Sequence, residues 1–299
     1  MTGPRRVSES RDRAPLLAVP NLSEGRDAAT LEAVRAAFDA GGARVLHSSA
    51  DPDHHRAVFT LAGEPGSLAR AVVAGAREAA ARIDVRAHAG EHPRVGAIDV
   101  APIVFLGPGQ RGAACAEALV LAGLLGEALD APVLLYGLLA GGRTRAELRR
   151  GGPEALARRL AAGDLAPDAG PRRLHPSVGA VLVAARPPLG AFNLWLGAGA
   201  TLADARAAAT RIRDGGPDGL PGVRALGLRL ERAGAVQVST NVEDLERVSL
   251  ADVLAAVGTH VPVARGELVA PVPRAALRDW PEETPLDGPP PLEDLLAGA

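Results

Sequence analysis

Apolar and polar positions alternate in short segments along this chain, and glycine and proline residues separate the segments. Short runs with a period of two, or apolar throughout, favour β-strands, whereas alanine-rich runs with an apolar position every three or four residues favour helices. The predicted strands are 16–19, 43–48, 56–62, 97–105, 132–136, 180–185, 191–196, 223–231, 235–241 and 266–271. The predicted helices are 28–39, 65–81, 115–129, 201–213 and 249–258.

The order of these elements divides the chain into two halves. The first half begins β-α-β-β-α-β-α-β, and the second reads β-α-β-β-α-β, which is the order of split βαβ arrangements. Pro187 and Pro188 are predicted to form a hinge between the halves. We therefore predict an α+β fold. It consists of two ferredoxin-like subdomains of the βαββαβ type, residues 15–186 and 187–299, with a substrate cleft between their sheets.

Three segments carry further expectations. Residues 1–14 are predicted to be a disordered N-terminal segment. Residues 163–179 are rich in glycine, proline and aspartate and have no clear period, so they are predicted to form a long ordered loop. The arginines between residues 143 and 150 fit either a solvated helix face or a track for a polyglutamate chain, and we favour the solvated face.

The composition excludes several classes of function. A hydrophobic fraction of 47% with only 2% aromatic residues predicts an aliphatic core. The net charge of −2 gives no electrostatic footprint for nucleic acid or an anionic membrane. All 33 basic residues are arginine, which excludes Schiff-base and lysine-base mechanisms. The single Cys115 excludes an internal disulfide and multi-cysteine metal clusters.

Neither end of the chain predicts a targeting or membrane segment. The first fourteen residues contain four arginines and no apolar core, so no signal peptide is expected. No apolar run reaches the length of a membrane span. We therefore expect a soluble, cytoplasmic protein without membrane or nucleic-acid partners.

The segment from His88 to Asp99 carries the densest chemistry. His88, Glu91 and His92 match a pattern in which two histidines on one helical face hold zinc beside a general base. That pattern needs a continuous helix, and Gly90 and Pro93 make this segment a poor helix interior. We therefore expect His92 in a loop, as a proton-transfer residue, with no metal. A metal-dependent hydrolase that uses the two histidines and the glutamate is the less favoured alternative.

Several other polar residues have both a functional and an ordinary interpretation. Arg56 and Arg94 fit bidentate binding of a carboxylate, or are surface arginines. Asn21, like Ser23 and Glu24 after it, could bind a ligand or cap the following helix. Adjacent His54 and His55 would point to opposite faces of a strand, which disfavours a shared metal.

The strand predicted over residues 235–241 places three polar side chains on one face. They are Gln237, Ser239 and Asn241. Such a face is either solvated or lines a cleft, and we favour the cleft.

Five motifs then occur in an order that resembles a known family. They are Val-Pro-Asn-Leu-Ser-Glu-Gly at 19–25, Gly-Glu-His-Pro-Arg-Val-Gly-Ala-Ile-Asp-Val at 90–100, Ala-Phe-Asn at 191–193, Gln-Val-Ser-Thr-Asn at 237–241 and Glu-Leu-Val at 267–269. The chain resembles the formiminotransferase domain of formimidoyltransferase-cyclodeaminases, the glutamate formimidoyltransferase family, from about residue 17 to residue 277. The cyclodeaminase half is expected to be absent.

The resemblance implies a reaction and its substrates. It implies transfer of the formimidoyl group from N-formimidoyl-L-glutamate to N5 of tetrahydrofolate, a step of histidine breakdown. It also implies two ferredoxin-like subdomains with a folate tunnel between them, and a homodimer. The catalytic histidine of the family matches His92. Its folate-contacting loop matches Gly170, Pro171, Arg172, Arg173, Leu174, His175, Pro176, Ser177, Val178 and Gly179.

Three residues depart from the better-known members of the family. Val178 stands where they have Trp, His55 where they have Asn, and Leu138 where they have Glu. Loss of the indole removes a flat surface on which a pterin could stack. A folate-binding paralogue with a different donor, or without catalysis, is therefore the principal alternative.

Overall fold

The strand-forming segments build two separate β-sheets. The computed structural model of the protein describes residues 14–88 and 93–298. These residues form two compact units, Met1–Pro187 and Pro188–Ala299, each with its own sheet and helices. This mixed architecture agrees with the predicted α+β class, and every predicted strand and helix overlaps an observed one.

The first unit contains a seven-stranded sheet. Its strands are β1 (Leu16–Ala18), β2 (Asn21–Leu22), β3 (Arg44–Asp51), β4 (Arg56–Gly63), β5 (Ile98–Val104), β6 (Val133–Leu135) and β7 (Val181–Arg186). Strands β1 and β2 both lie between β4 and β5 and run antiparallel to them. Strand β3 pairs with β4 in antiparallel fashion, and β7 and β6 extend the sheet beyond β5 in parallel.

Five helices accompany this sheet. They are α1 (Ala28–Ala40), α2 (Leu68–Arg82), α3 (Arg111–Leu129), α4 (Arg145–Arg149) and α5 (Gly152–Ala162). Strand β7 explains why both faces of the sheet need cover. Val181 and Val183 lie in the core with α1, α2 and α3, whereas Leu182 and Ala184 lie in a second core with Leu156 of α5. An uninterrupted apolar run is what a strand buried on both faces requires.

Helix α3 is also long and largely apolar. Together with its preceding turn, Pro108–Leu129, it is long and apolar enough to cross a membrane by length and composition. It packs against β5, β6 and β7 and against α2, and a core helix passes the same test. The segment therefore carries no membrane assignment.

The second unit contains a five-stranded sheet in the order β12-β11-β8-β10-β9. Its strands are β8 (Gly190–Leu196), β9 (Val223–Leu230), β10 (Ala235–Val242), β11 (Val263–Leu268) and β12 (Leu286–Asp287), and its helices are α6 (Leu202–Ile212), α7 (Leu250–Gly258) and α8 (Leu292–Ala297). Helices α6 and α7 cover the apolar face, where Phe192, Leu194 and Val238 are buried. Strand β11 lies earlier than predicted, because Pro271 has no backbone N–H with which to continue the ladder beyond Val269.

A buried carboxylate on α3 caps helix α2. Glu117 accepts hydrogen bonds from the backbone N–H of Gly66 at 2.5 Å and of Ala69 at 2.7 Å. The N-cap residue Ser67 makes no side-chain capping bond. Glu117 therefore supplies both the acceptors and the negative charge that favour a helix N-terminus.

Replacing Glu117 with alanine is expected to lower the free energy of unfolding by about 1–3 kcal/mol, because two N–H groups lose their acceptors. Urea denaturation measures the loss. Glu127→Ala, at an exposed position of the same helix, is the control and should stay within about 0.5 kcal/mol of the original chain. Equal losses in both variants would show that the cap from α3 contributes nothing.

Candidate functional site

The segment that carries the predicted catalytic residue is described only at its two ends. His92 and Glu91 lie outside the described residues. His88 precedes them, and Pro93 and Arg94 follow them, all in the first unit. The position of the catalytic imidazole therefore stays a prediction, whereas its neighbours in the fold can be described.

The predicted folate loop, residues 170–179, is hydrogen-bonded to the chain on both sides of this segment. The backbone N–H of Val85 donates to Ser177 O at 2.9 Å. The N–H of Ala97 donates to Val178 O at 2.8 Å. The loop therefore lies next to the described residues on both sides of the segment that contains His92, although about eighty residues separate them in sequence.

His175 closes the end of this loop. It exchanges two backbone hydrogen bonds with Gly179, at 3.1 and 2.8 Å. Its Nδ1 accepts a hydrogen bond from Val178 N at 3.1 Å and another from Ser177 N at 3.3 Å. The ring therefore stabilises the turn by accepting hydrogen bonds at Nδ1. The sequence did not indicate this structural role.

The remaining loop positions differ in exposure. Gly170, Arg172, Arg173 and Pro176 are exposed, Pro171 and Leu174 are intermediate, and Gly179 is buried. Val178 is only 2% exposed and belongs to the first unit's core. Leu138, by contrast, is 48% exposed. The roles of these residues toward folate stay predictions.

Gly96 shows how closely the loop approaches the segment. A Cβ at this position would lie 2.0 Å from the carbonyl oxygen of Ala180. No side chain fits at that distance, so only glycine permits this approach.

The Asn21-to-Gly25 motif contacts the same region and does not cap the following helix. Ser23 Oγ donates to Gly96 O at 2.7 Å. Asn21 Oδ1 accepts from Arg56 Nη2 at 2.8 Å and from Arg56 Nε at 3.1 Å. Helix α1 is capped instead by Asp27, which accepts from Ala29 N. The capping interpretation was therefore wrong for Asn21 and Ser23.

A fully buried carboxylate holds two arginines at this site. Asp99 is 0% exposed, and its Oδ2 accepts hydrogen bonds from Arg56 Nη1 at 2.7 Å and from Arg149 Nη2. Its Oδ1 accepts from Val95 N at 2.9 Å. Burial lowers the pKa of Arg56 to about 10; Asp99 opposes this shift and Arg149 adds to it.

The prediction of a solvated helix face over residues 143–150 was wrong for Arg149. Its side chain is only 13% exposed. Arg143 is also engaged, because it forms an ion pair with Asp168 at 2.6 Å. The pattern of charges did not reveal that Leu148 of α4 packs in a core with Val100 of β5 and Leu182 of β7, next to the inward-facing Arg149.

Two stacked histidine rings lie beside the arginines. The rings of His55 and His88 stand 4.1 Å apart, and His88 Nε2 donates to His55 O at 2.7 Å. His55 Nε2 lies 3.1 Å from Glu24 Oε1, and Arg94 Nη2 donates to His88 O at 2.6 Å. His88 is thus partly buried and bonded to His55.

The histidines at 54 and 55 lie in a turn before β4, so the argument from opposite faces of a strand does not apply to them. His55 has a φ of 49°, a conformation in which Asn, Asp and His are enriched. His54 lies 4.0 Å from Asp51, whereas His55 contacts Glu24. Within residues 14–88 and 93–298, no group of three potential ligands could hold a metal ion.

The polar motifs of the second unit form one row across its sheet. Ser239 pairs with Asn193, and Asn193 pairs with Glu267 on the next strand. Glu267 Oε2 accepts from Trp195 Nε1 at 2.7 Å and from Asn193 Nδ2 at 3.4 Å. The sequence placed these motifs far apart, and the antiparallel register brings them together.

The other two predicted residues of this face differ from each other. Asn241 is half-buried, like Ser239. Gln237 is 0% exposed, and neither polar atom of its carboxamide has a hydrogen-bond partner among the described residues. An unsatisfied buried amide is costly, so Gln237 adds a further polar residue that can bind a ligand.

Comparisons with known proteins agree with this set of motifs. Residues 16–186 match the family described as formiminotransferase domain, N-terminal subdomain. The chain therefore belongs to the formiminotransferase-domain family. This family match ends at β7, and further relatives extend the similarity into the second unit.

The relatives include proteins of two lengths. The chain is 36% identical over 279 residues to the formimidoyltransferase-cyclodeaminase of Rattus norvegicus, covering 87% of this chain and 50% of the relative. It is 35% identical over 236 residues to the glutamate formimidoyltransferase of Streptococcus pyogenes serotype M1, covering 78% of each. It is 32% identical over 273 residues to that of Thermoplasma acidophilum, covering 87% of this chain and 89% of the relative. The chain thus spans about half the length of the bifunctional relatives it matches.

The His88 ring is expected to make the fold sensitive to acid. Burial, the main cause, lowers the pKa of His88 from 6.5 to about 4; the hydrogen bond to the carbonyl oxygen of His55 opposes this shift, and the charge of Arg94 adds to it. Between these values the unfolded chain binds the proton and the folded chain does not. The contribution of neutral His88 is therefore complete above pH 6.5 and is lost as the pH falls toward 4.

His88→Gln keeps a donor for His55 O and does not titrate. The variant is expected to show a smaller fall in the free energy of unfolding between pH 6.5 and pH 4 than the original chain. Denaturant titrations at several pH values measure both slopes, and NMR of the imidazole C–H protons gives the pKa of His88 directly. Parallel slopes, or a pKa near 6.5, would contradict a neutral buried ring.

Proposed function

We propose that this chain transfers the formimidoyl group from N-formimidoyl-L-glutamate to N5 of tetrahydrofolate, with release of glutamate. The observation that carries the proposal is a set of hydrogen bonds among four short stretches of the chain. Residues 21–25, 55–56, 94–99 and 175–179 are joined by hydrogen bonds on either side of His92. The names of the Streptococcus and Thermoplasma relatives support the same reaction.

His92 is the proposed general base and then general acid. The N5 amine attacks the formimidoyl carbon, and the resulting tetrahedral intermediate passes a proton from N5 to the imidazole. The bond from carbon to the glutamate nitrogen then breaks, and the imidazole returns the proton to that nitrogen. One group with a pKa near 6.5 can do both steps in sequence.

The other predicted residues bind or support the substrates in this proposal. The pterin lies along residues 170–179. Arg56 and Arg94 meet substrate carboxylates, because a guanidinium donates two parallel hydrogen bonds to a carboxylate. Supporting polar contacts come from Asn21 and Glu91, together with Ser239 and Asn241. Water must be excluded, since hydrolysis of the formimidoyl group is the competing reaction.

The architecture implied by the resemblance is part of the proposal. We propose two ferredoxin-like subdomains, residues 15–186 and 187–299. The strand order β11-β8-β10-β9 in the second unit, fourth-first-third-second, supports this for the second subdomain. A homodimer in the cytoplasm, acting on small molecules without a metal, completes the proposal; gel filtration with light scattering tests the dimer.

Glutamate release from N-formimidoyl-L-glutamate, measured with and without tetrahydrofolate, tests the reaction. We expect release that depends on tetrahydrofolate, and a fall of about a hundredfold or more in His92→Ala, the range for a lost general base. The control is His260→Ala in the second unit, where the imidazole pairs with Asp218; its rate should not change.

Two results would contradict the proposal in different ways. Unchanged release by His92→Ala would mean that another group moves the proton. No release by the original chain, with tetrahydrofolate still bound in a calorimetric titration, would favour a different donor or a folate-binding paralogue. It would direct attention to the departures Val178 and Leu138.

A further inference from the structure

Asp99, Arg56 and Arg149 form a buried group that we call the Asp99 cluster. It contains two guanidinium groups and one carboxylate, so the three side chains carry a net positive charge. The arginine side chains are mostly buried, and Asp99 is completely so. Two more arginines act on it electrostatically: Arg94 interacts with Asp99, and Arg145 with Arg56.

Burial of the Arg149 guanidinium is costly unless each of its donors finds an acceptor. One donor does not: among the described residues, the Nε–H of Arg149 is buried and has no hydrogen-bond partner. A buried donor without an acceptor carries its own penalty. A carboxylate that enters beside Arg149 would supply the missing acceptor.

A purely structural role for Arg149 is less consistent with its surroundings. Helix α4 is held in place without it. Thr144 and Glu147 form a reciprocal capping pair, Leu148 is buried in the core, and Arg159 donates to the carbonyl oxygens of Glu147 and Leu148. A fourth attachment through a buried cation would cost more than an apolar residue in its place.

We propose that the Asp99 cluster is the binding site for a glutamate carboxylate, with Arg149 in contact with it and Asp99 as the positioning residue. The inference rests on the proposed function, which supplies two substrates that carry a glutamate moiety. Asp99 holds the guanidinium groups of Arg56 and Arg149 together before substrate arrives, so little ordering is needed on binding. The sequence motifs did not include Arg149.

Arg149→Gln and Arg149→Lys test the proposal in steady-state kinetics. We expect the KM of one substrate to rise by roughly ten- to a hundredfold in Arg149→Gln, the range for loss of a charge-assisted hydrogen bond. The kcat should change much less. Arg149→Lys should recover part of the loss, because it restores the charge and not the fork. Arg158→Gln, exposed on α5, is the matched control and should leave both constants unchanged.

The KM that rises identifies which of the two substrates supplies the carboxylate. The cluster binds the donor if Arg149→Gln raises the KM for the donor and the KM of this variant does not rise further when the donor's side-chain carboxylate is replaced by an amide. A higher KM for tetrahydrofolate, but not for tetrahydropteroate, which lacks the glutamate, assigns it to the folate. Unchanged KM values together with a lower melting temperature would overturn the proposal in favour of a structural attachment.

Calorimetric titration with L-glutamate separates this inference from the proposed function. Binding to the original chain that weakens about tenfold or more in Arg149→Gln supports the cluster even without turnover. Formimidoyl transfer by the original chain with equal glutamate binding and equal KM values in the variant overturns the inference alone. Absence of both transfer and glutamate binding in the original chain overturns both.

Discussion

The burial of one carboxylate, Asp99, determines how the first unit arranges its polar residues. A buried anion without partners would be unfavourable, and Asp99 meets this constraint by accepting hydrogen bonds from Arg56, Arg149 and the backbone of Val95. Arg56 in turn reaches Asn21. Asp99 thereby links strands β4 and β2, helix α4 and the chain that leads out of the predicted catalytic segment. Few substitutions at this position would keep all of these links.

Most of the architecture followed from local patterns, and the parts that did not have physical reasons. The strands were predictable because apolar runs and alternation are properties of adjacent residues. Helix α5 was not predicted, and α4 was expected only as a solvated helix face. Two signals existed: the Thr144-to-Glu147 spacing of a capping box, and a seventh strand apolar on both faces, which needs a second covering layer. Burial of Arg149 depends on this layer.

The candidate site was predictable as a set of motifs and not as a set of contacts. The order of the motifs identified the family, because this order can be read directly from the sequence. The stacking of His55 on His88 joins rings that are 33 positions apart, and His175 closes its loop through hydrogen bonds with Ser177, Val178 and Gly179. No periodicity encodes such bonds. Residues 170–179 are likewise attached to the chain that follows His92 by an isolated β-bridge, between Gly96 and Gly179, which lies outside the regular strands.

Strands β1 and β2 occupy the same position between β4 and β5, and the register against β5 shifts between Asn21 and Leu22. The residue of β5 that lies between the two pairs is Asp99. Leu22 enters the apolar core, while Asn21 faces Arg56. Side chains alternate across a strand, so inserting or deleting one residue between β1 and β2 would exchange the positions of Asn21 and Leu22. A carboxamide would enter the core, and an isobutyl group would face a guanidinium. This short connection should therefore tolerate many substitutions during evolution but no insertion or deletion of a single residue.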